Sequence, residues 1–150
     1  MKYSREILNG FIIFLGIGIY FLLMQYLGLS DRFYLRIFNI VFVIYGVNRT
    51  IKANHADGIR GFNTNFLSAI LTSMVGAVLS IASLLVYIKM QGGEEFLKNL
   101  SQSFIFGGGE LTIYHYCIGL FFESVAVSFI VSYSLMLYWK NKVEVINKVD

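Results

Sequence analysis

Residues 64–88 read TNFLSAILTSMVGAVLSIASLLVYI, 25 residues without one charged side chain. A helix needs about 20 mostly apolar residues to cross roughly 30 Å of hydrocarbon, so this stretch is predicted to span a bilayer. Asn63 or Thr64 is placed to cap its first turn. Within it Ser68, Thr72, Gly76 and Ser80 recur at every fourth position, with Ala69, Ser73 and Ala77 beside them. Helices in lipid associate through close packing and buried polar contacts, because lipid tails are as apolar as leucine. The stretch therefore combines a membrane-crossing length with a small-residue ridge that a second helix can approach.

Three more runs share its character. Residues 7–29 carry no charge, and their polar members are Asn9 and Gln25. Residues 33–51 form the least apolar run, with Arg36, Asn39, Asn48 and Arg49 in it or at its ends. Residues 111–139 exceed the hydrocarbon thickness at about 1.5 Å per residue, so that span must tilt or project from the membrane. It repeats the ridge with Ser124, Ser128 and Ser132, preceded by Cys117. The expected fold is all-α: a single-domain integral membrane four-helix bundle with a short external amphipathic helix between spans three and four. Composition agrees, since 57% of residues are hydrophobic and 14% charged, against about 45–50% and about 25% in soluble domains. Long continuous apolar runs exclude a transmembrane β-barrel, whose strands are short and alternating. Hydrophobicity excludes disorder, and the single cysteine excludes a disulfide scaffold.

Charge sets the orientation. Lys2 and Arg5 precede the first run, which is too long for a signal peptide and lacks a cleavage site, so it is expected to stay as an anchor. The N-terminus, the loop at residues 52–62 and the C-terminal tail hold Lys2, Arg5, Arg49, Lys52, Arg60, Lys140, Lys142 and Lys148. The other loops hold Arg32, Arg36, Lys89 and Lys98. The positive-inside rule places both termini in the cytoplasm. Tyr26, Phe33 and Tyr34 then fall at the outer interface, and Tyr138 and Trp139 at the inner one. The formal charge of +3 is the ordinary bias of such a protein and implies no nucleic acid.

The external segment, residues 90–110, opens with Gly92-Gly93 and closes with Gly107-Gly108-Gly109. Phe96, Leu97, Leu100 and Phe104 recur between them at helical spacing, and Glu94 and Glu95 suit a helix start. The reading is a three-turn amphipathic helix lying on the outer leaflet; a loop packed on the bundle top is the alternative.

Glu123 carries the most chemical interest, since it sits near the middle of the fourth span. A lone charge there costs roughly 2.5–3.5 kcal/mol on insertion scales, so the acid is expected to be neutral or paired. Arg36 is the obvious cation, but by helical rise Glu123 lies roughly 12 Å deeper than His115, which shares the depth of Arg36. A direct pair needs offset helices, and Asn39 is the better-placed neutral partner. The candidate cluster is Arg36, Asn39, His115 and Glu123.

Several chemistries find no residues to carry them. Bis-histidine haem needs two intramembrane histidines, and His55 falls in the loop; no Cys/His set has zinc spacing, and Gly107-Gly108-Gly109 lacks the Lys-Ser/Thr of a phosphate loop. No catalytic residue, cofactor or metal is expected, and an enzyme is not.

Four spans, the loop Asp57-Gly58-Ile59-Arg60-Gly61-Phe62, the small-residue third helix and Tyr87-Ile88-Lys89 followed by Glu94-Glu95-Phe96-Leu97 together carry a resemblance. The chain resembles the Bacteroidota membrane family catalogued as domain of unknown function 4199, over about residues 5–142, although Gly92-Gly93 stands where a proline is expected. The resemblance implies a bacterial inner membrane and no assigned activity. Two functions fit the residues. One is a non-catalytic accessory or scaffold subunit, whose ridges contact other membrane subunits. The other is a small homo-oligomeric transporter or channel with Glu123 as its intramembrane acid.

Overall fold

The computed structural model describes residues 3–30, 32–100 and 112–143. Helix accounts for 89% of them, and no strand occurs among them. The elements are α1 (Tyr3–Tyr26), a 3-10 turn (Phe33–Phe38), α2 (Asn39–Ala56), α3 (Phe62–Met90), α4 (Glu94–Leu100) and α5 (Ile113–Val143). Within the described residues the first, third and fourth apolar runs each form one long helix, because a continuous run of aliphatic and aromatic residues without proline has nothing to interrupt its backbone ladder.

Glycine ends the first two helices in the same way. Gly28 and Gly58 adopt φ +69° and +74°. Behind each, two amides return to the last turn: Gly28 to Gln25 and Leu29 to Met24, then Gly58 to His55 and Ile59 to Asn54. A left-handed residue with these paired bonds satisfies carbonyls that the helix end otherwise strands.

Three helices, α1, α3 and α5, are long and apolar enough to cross a membrane. The second run departs from expectation. Residues 33–51 are not one continuous apolar helix: a 3-10 turn leads into α2, which continues to Ala56 and takes up part of the loop expected at 52–62. Polar positions from Asn48 onward explain this, because Thr50 and Asn54 are buried against other helices and hold the backbone helical past Ile51. The third helix starts at Phe62 without a side-chain cap, so neither Asn63 nor Thr64 serves that role; Gly61 precedes it at φ +102°.

Helix α3 packs broadly along α1 and along α5, and α2 touches all three. Two apolar cores result. One gathers Ile13, Val43, Val47, Ile51, Met136 and Trp139 around the end that holds the α2–α3 turn. The other gathers Ile88, Leu97, Leu100, Ile113, Tyr116 and Leu120 at the α4 end. The outer faces are also apolar: Ile7, Leu15, Ile19, Leu22, Phe122 and Ile130 are all exposed. A surface this apolar, with hydroxyls and amides turned inward, inverts the arrangement of a soluble protein.

The external helix needs correction. Seven of its residues are described, and two on its apolar face, Leu97 and Leu100, turn into the protein. Leu97 is fully buried and Leu100 nearly so, packed into the second core. Gly93 follows Gly92 in positive φ and turns the chain back so that α4 lies on the bundle top. Phe104, Gly107-Gly108-Gly109 and the predicted start of the fourth span at residue 111 lie outside the described residues.

Candidate functional site

Between the two cores lies a cavity of about 460 Å³. Its walls come from α1 (Ile17, Phe21), the 3-10 turn (Leu35, Arg36), the start of α2 (Asn39, Ile40), α3 (Ala77, Ser80) and α5 (Leu120, Glu123). The cavity runs beside the 3-10 turn and the first turn of α2, as far as Val43. The lining is largely apolar, with hydroxyls such as Ser73, Ser124 and Ser128, the Arg32 side chain and the Arg36–Glu123 pair. That volume and mixture match sites for small organic ligands, which run at about 300–1,000 Å³ with a few placed polar groups.

The ion pair joins the two elements that depth arithmetic kept apart. Arg36 Nη2 stands 3.1 Å from Glu123 Oε2, and their side chains are 24% and 42% exposed. The helices are therefore offset, and the extended 3-10 turn supplies part of that offset. Asn39 lines the same cavity but does not bond Glu123; its Oδ1 is buried without a hydrogen-bond partner. His115 leaves the expected cluster altogether. Its Nδ1 lies 3.0 Å from Thr112 Oγ1, it is exposed, and it is not part of the cavity wall. A histidine one turn into a helix can satisfy its ring on the hydroxyl that precedes the helix, and Thr112 is in that place.

Most of the ridge residues are consumed inside the chain. Ser68 and Thr72 are fully buried. Gly76 lets Ile13 of α1 approach so closely that a Cβ there would stand 2.8 Å from Ile13 Cγ2 and 3.1 Å from the Gly10 carbonyl oxygen. Ser80 and Ser124 bond their own helices, through the carbonyls of Gly76 and Leu120. Ser128 and Ser132 are buried on α5, and Ser132 Oγ has no partner.

The sequence reading missed a second polar region at the other end. Asn9 Nδ2 donates to Thr50 Oγ1 at 2.9 Å, Thr50 and Thr72 share a bond of 2.9 Å, and Thr72 donates to the Ser68 carbonyl. Alongside this chain, Arg5 donates to Asn54 Oδ1 at 2.8 Å and pairs with Asp57. Asn54 donates to Ser68 Oγ at 3.0 Å, and Ser68 donates to Glu6 Oε1. These bonds tie α1, α2 and α3 together. The available signal was the pairing of polar residues at i and i+4, Thr50 with Asn54 and Ser68 with Thr72, at matching depths on neighbouring helices.

Among the described residues no group of three His, Cys, Asp or Glu side chains is arranged to hold a metal ion. Compared with family models, curated proteins and solved structures, the chain finds no match in any of the three.

Proposed function

We propose that this chain is a multi-pass protein of the bacterial inner membrane with both termini cytoplasmic, and that its cavity binds a small amphipathic molecule for transport. The observation that carries the reading is the cavity of about 460 Å³, walled by four helices with the Arg36–Glu123 pair at its edge. In this reading α2 crosses with the other three. Its partners supply the hydrogen bonds for Thr50 and Asn54, while Val41, Ile44 and Tyr45 face lipid. An apolar body would lie along Ile17, Phe21 and Leu120, and a polar head would compete for Arg36 or Glu123. Breaking and remaking that ion pair is the chemical step available to the site. A homo-oligomer of the chain, and membership of the Bacteroidota family it resembles, accord with this reading without being needed for it.

An accessory subunit is the second reading. It drew on two small-residue ridges, and most of those side chains are already buried within the chain, so they offer little open surface to a partner.

The test has two parts. Protein purified in mild detergent is analysed by native mass spectrometry for retained small molecules, and Ala77→Phe, which fills the cavity, is compared with it. Loss of the retained species in Ala77→Phe, with uptake into liposomes lost in Glu123→Gln, is the expected result. A stoichiometric set of other subunits, with no bound small molecule, would move the reading to an accessory role.

A further inference from the structure

The end of the bundle away from α4 holds an arrangement that the cavity does not use. Glu6 is 2% exposed, and one carboxylate oxygen, Oε1, accepts the hydroxyl of Ser68. Its other oxygen, Oε2, is buried with no hydrogen-bond partner. One turn before Ser68 on the same helix stands Asn65, fully buried. Its Nδ2 donates to the carbonyls of Ile59 and Gly61, at 3.2 and 3.0 Å, which fixes the amide in one orientation. Asn65 Oδ1, on the other side of that amide, is likewise buried without a partner.

Two buried oxygens without partners, one on the carboxyl that Ser68 bonds and one a helical turn before Ser68, call for a donor or a cation. The nearest guanidinium does not answer, since Arg5 turns to Asn54 and Asp57. Ser68 has one proton, already given to Glu6, and its Oγ accepts from Asn54. A water molecule, or an acid proton on Oε2 itself, would also supply a donor, but neither responds to sodium, so the experiment below separates both from a cation. Divalent ions take larger sets of oxygens, commonly with more than one carboxylate, and this group offers one.

We propose that Glu6 Oε2, Asn65 Oδ1 and Ser68 Oγ bind a monovalent cation the size of sodium, at the junction of α1 and α3. An ionisable residue buried in a membrane helix is a functional-site hypothesis by default, with ion pathways among the attested roles. Ser68 also belongs to the bonds that tie α1, α2 and α3, so the cation stabilises that junction when bound. The site is separate from the cavity and does not depend on what the cavity binds.

The experiment is a thermal unfolding series in detergent at fixed pH and ionic strength, with sodium chloride replacing choline chloride. Trp139, the single tryptophan, reports unfolding. The midpoint is expected to rise with sodium and saturate. Asn65→Ala should raise the half-saturating concentration by roughly tenfold or more, as loss of a metal-site partner does. Glu6→Gln should abolish the response, and Glu123→Gln should leave it intact. Should Glu6→Gln fail to fold, Asn65→Ala and Ser68→Ala carry the result. Equal stability in sodium and choline overturns the proposal, and so does an undiminished sodium response in Asn65→Ala and Ser68→Ala.

Discussion

Ile13 is locked between two glycines on different helices, and the lock has a measurable energy. A Cβ placed on Gly46 of α2 would overlap Ile13 Cγ1 and stand 2.7 Å from Cδ1, while one on Gly76 of α3 would stand 2.8 Å from Cγ2 and 2.9 Å from Cβ. Carbon pairs rest at about 3.5–4.0 Å, so alanine at either position forces Ile13 or a backbone to move. Overpacking of this kind costs about 1–3 kcal/mol. Replacing a mid-helix glycine returns about 0.8–1.0 kcal/mol of helix propensity, which leaves each variant less stable by roughly 1 kcal/mol. Ile13→Ala alone should cost about 2–5 kcal/mol, because the side chain is 1% exposed. Combining it with Gly46→Ala removes the atoms in conflict, so the pair should couple by about 1–3 kcal/mol. With Gly76→Ala the coupling should be smaller, since alanine at 13 keeps the Cβ that lies in the way. Equilibrium unfolding in mixed SDS micelles, followed by Trp139 fluorescence, measures all the variants. Additivity of Ile13→Ala with Gly46→Ala to within about 0.5 kcal/mol would refute the reasoning.

Other expectations follow from single contacts. Thr72→Val removes the bond to Thr50 across helices and the one to the Ser68 carbonyl within α3; loss of the interhelical bond should cost about 0.6–1.7 kcal/mol in the same unfolding assay. Arg36→Gln strands Glu123, so adding Glu123→Gln to it should recover part of the lost thermal stability; a further drop would count against the pair. Leu97→Ala hollows the second core, and amide exchange in Glu94–Leu100 should accelerate while α1 and α3 stay protected. Equal acceleration everywhere would mean that α4 is part of the global unfolding unit.

The helices were legible because each apolar run is long and free of proline. The ridge on α3 was legible because small residues at a four-residue interval are uncommon in such a run. Which helix covers that ridge was not, since Gly46 and Gly76 both close on Ile13 of α1, a meeting that no spacing along the chain reveals. Glu6 escaped notice for a different reason. A span is read as starting where charge stops, which sets Glu6 outside the first one, yet Ser68 draws it into the bundle. The partner of α4 was also illegible, because an apolar helical face looks the same whether lipid or protein covers it. His115 was misplaced by depth alone, which says nothing about the direction a ring faces.

The 3-10 turn before α2 has a mechanical consequence. A 3-10 helix advances about 2.0 Å per residue with three residues per turn, against about 1.5 Å and 3.6 in an α-helix. Arg36 stands three residues before Asn39, where the winding changes. Rewinding those residues as α would retract Arg36 by about 1.5 Å and swing it about 60° around the axis. Spin labels at Ile37 and Ile118, both exposed, would register that movement as a change in one distance. The 3-10 winding thus sets both the height and the bearing at which Arg36 meets Glu123, so the reach of that pair is fixed by the backbone that carries it.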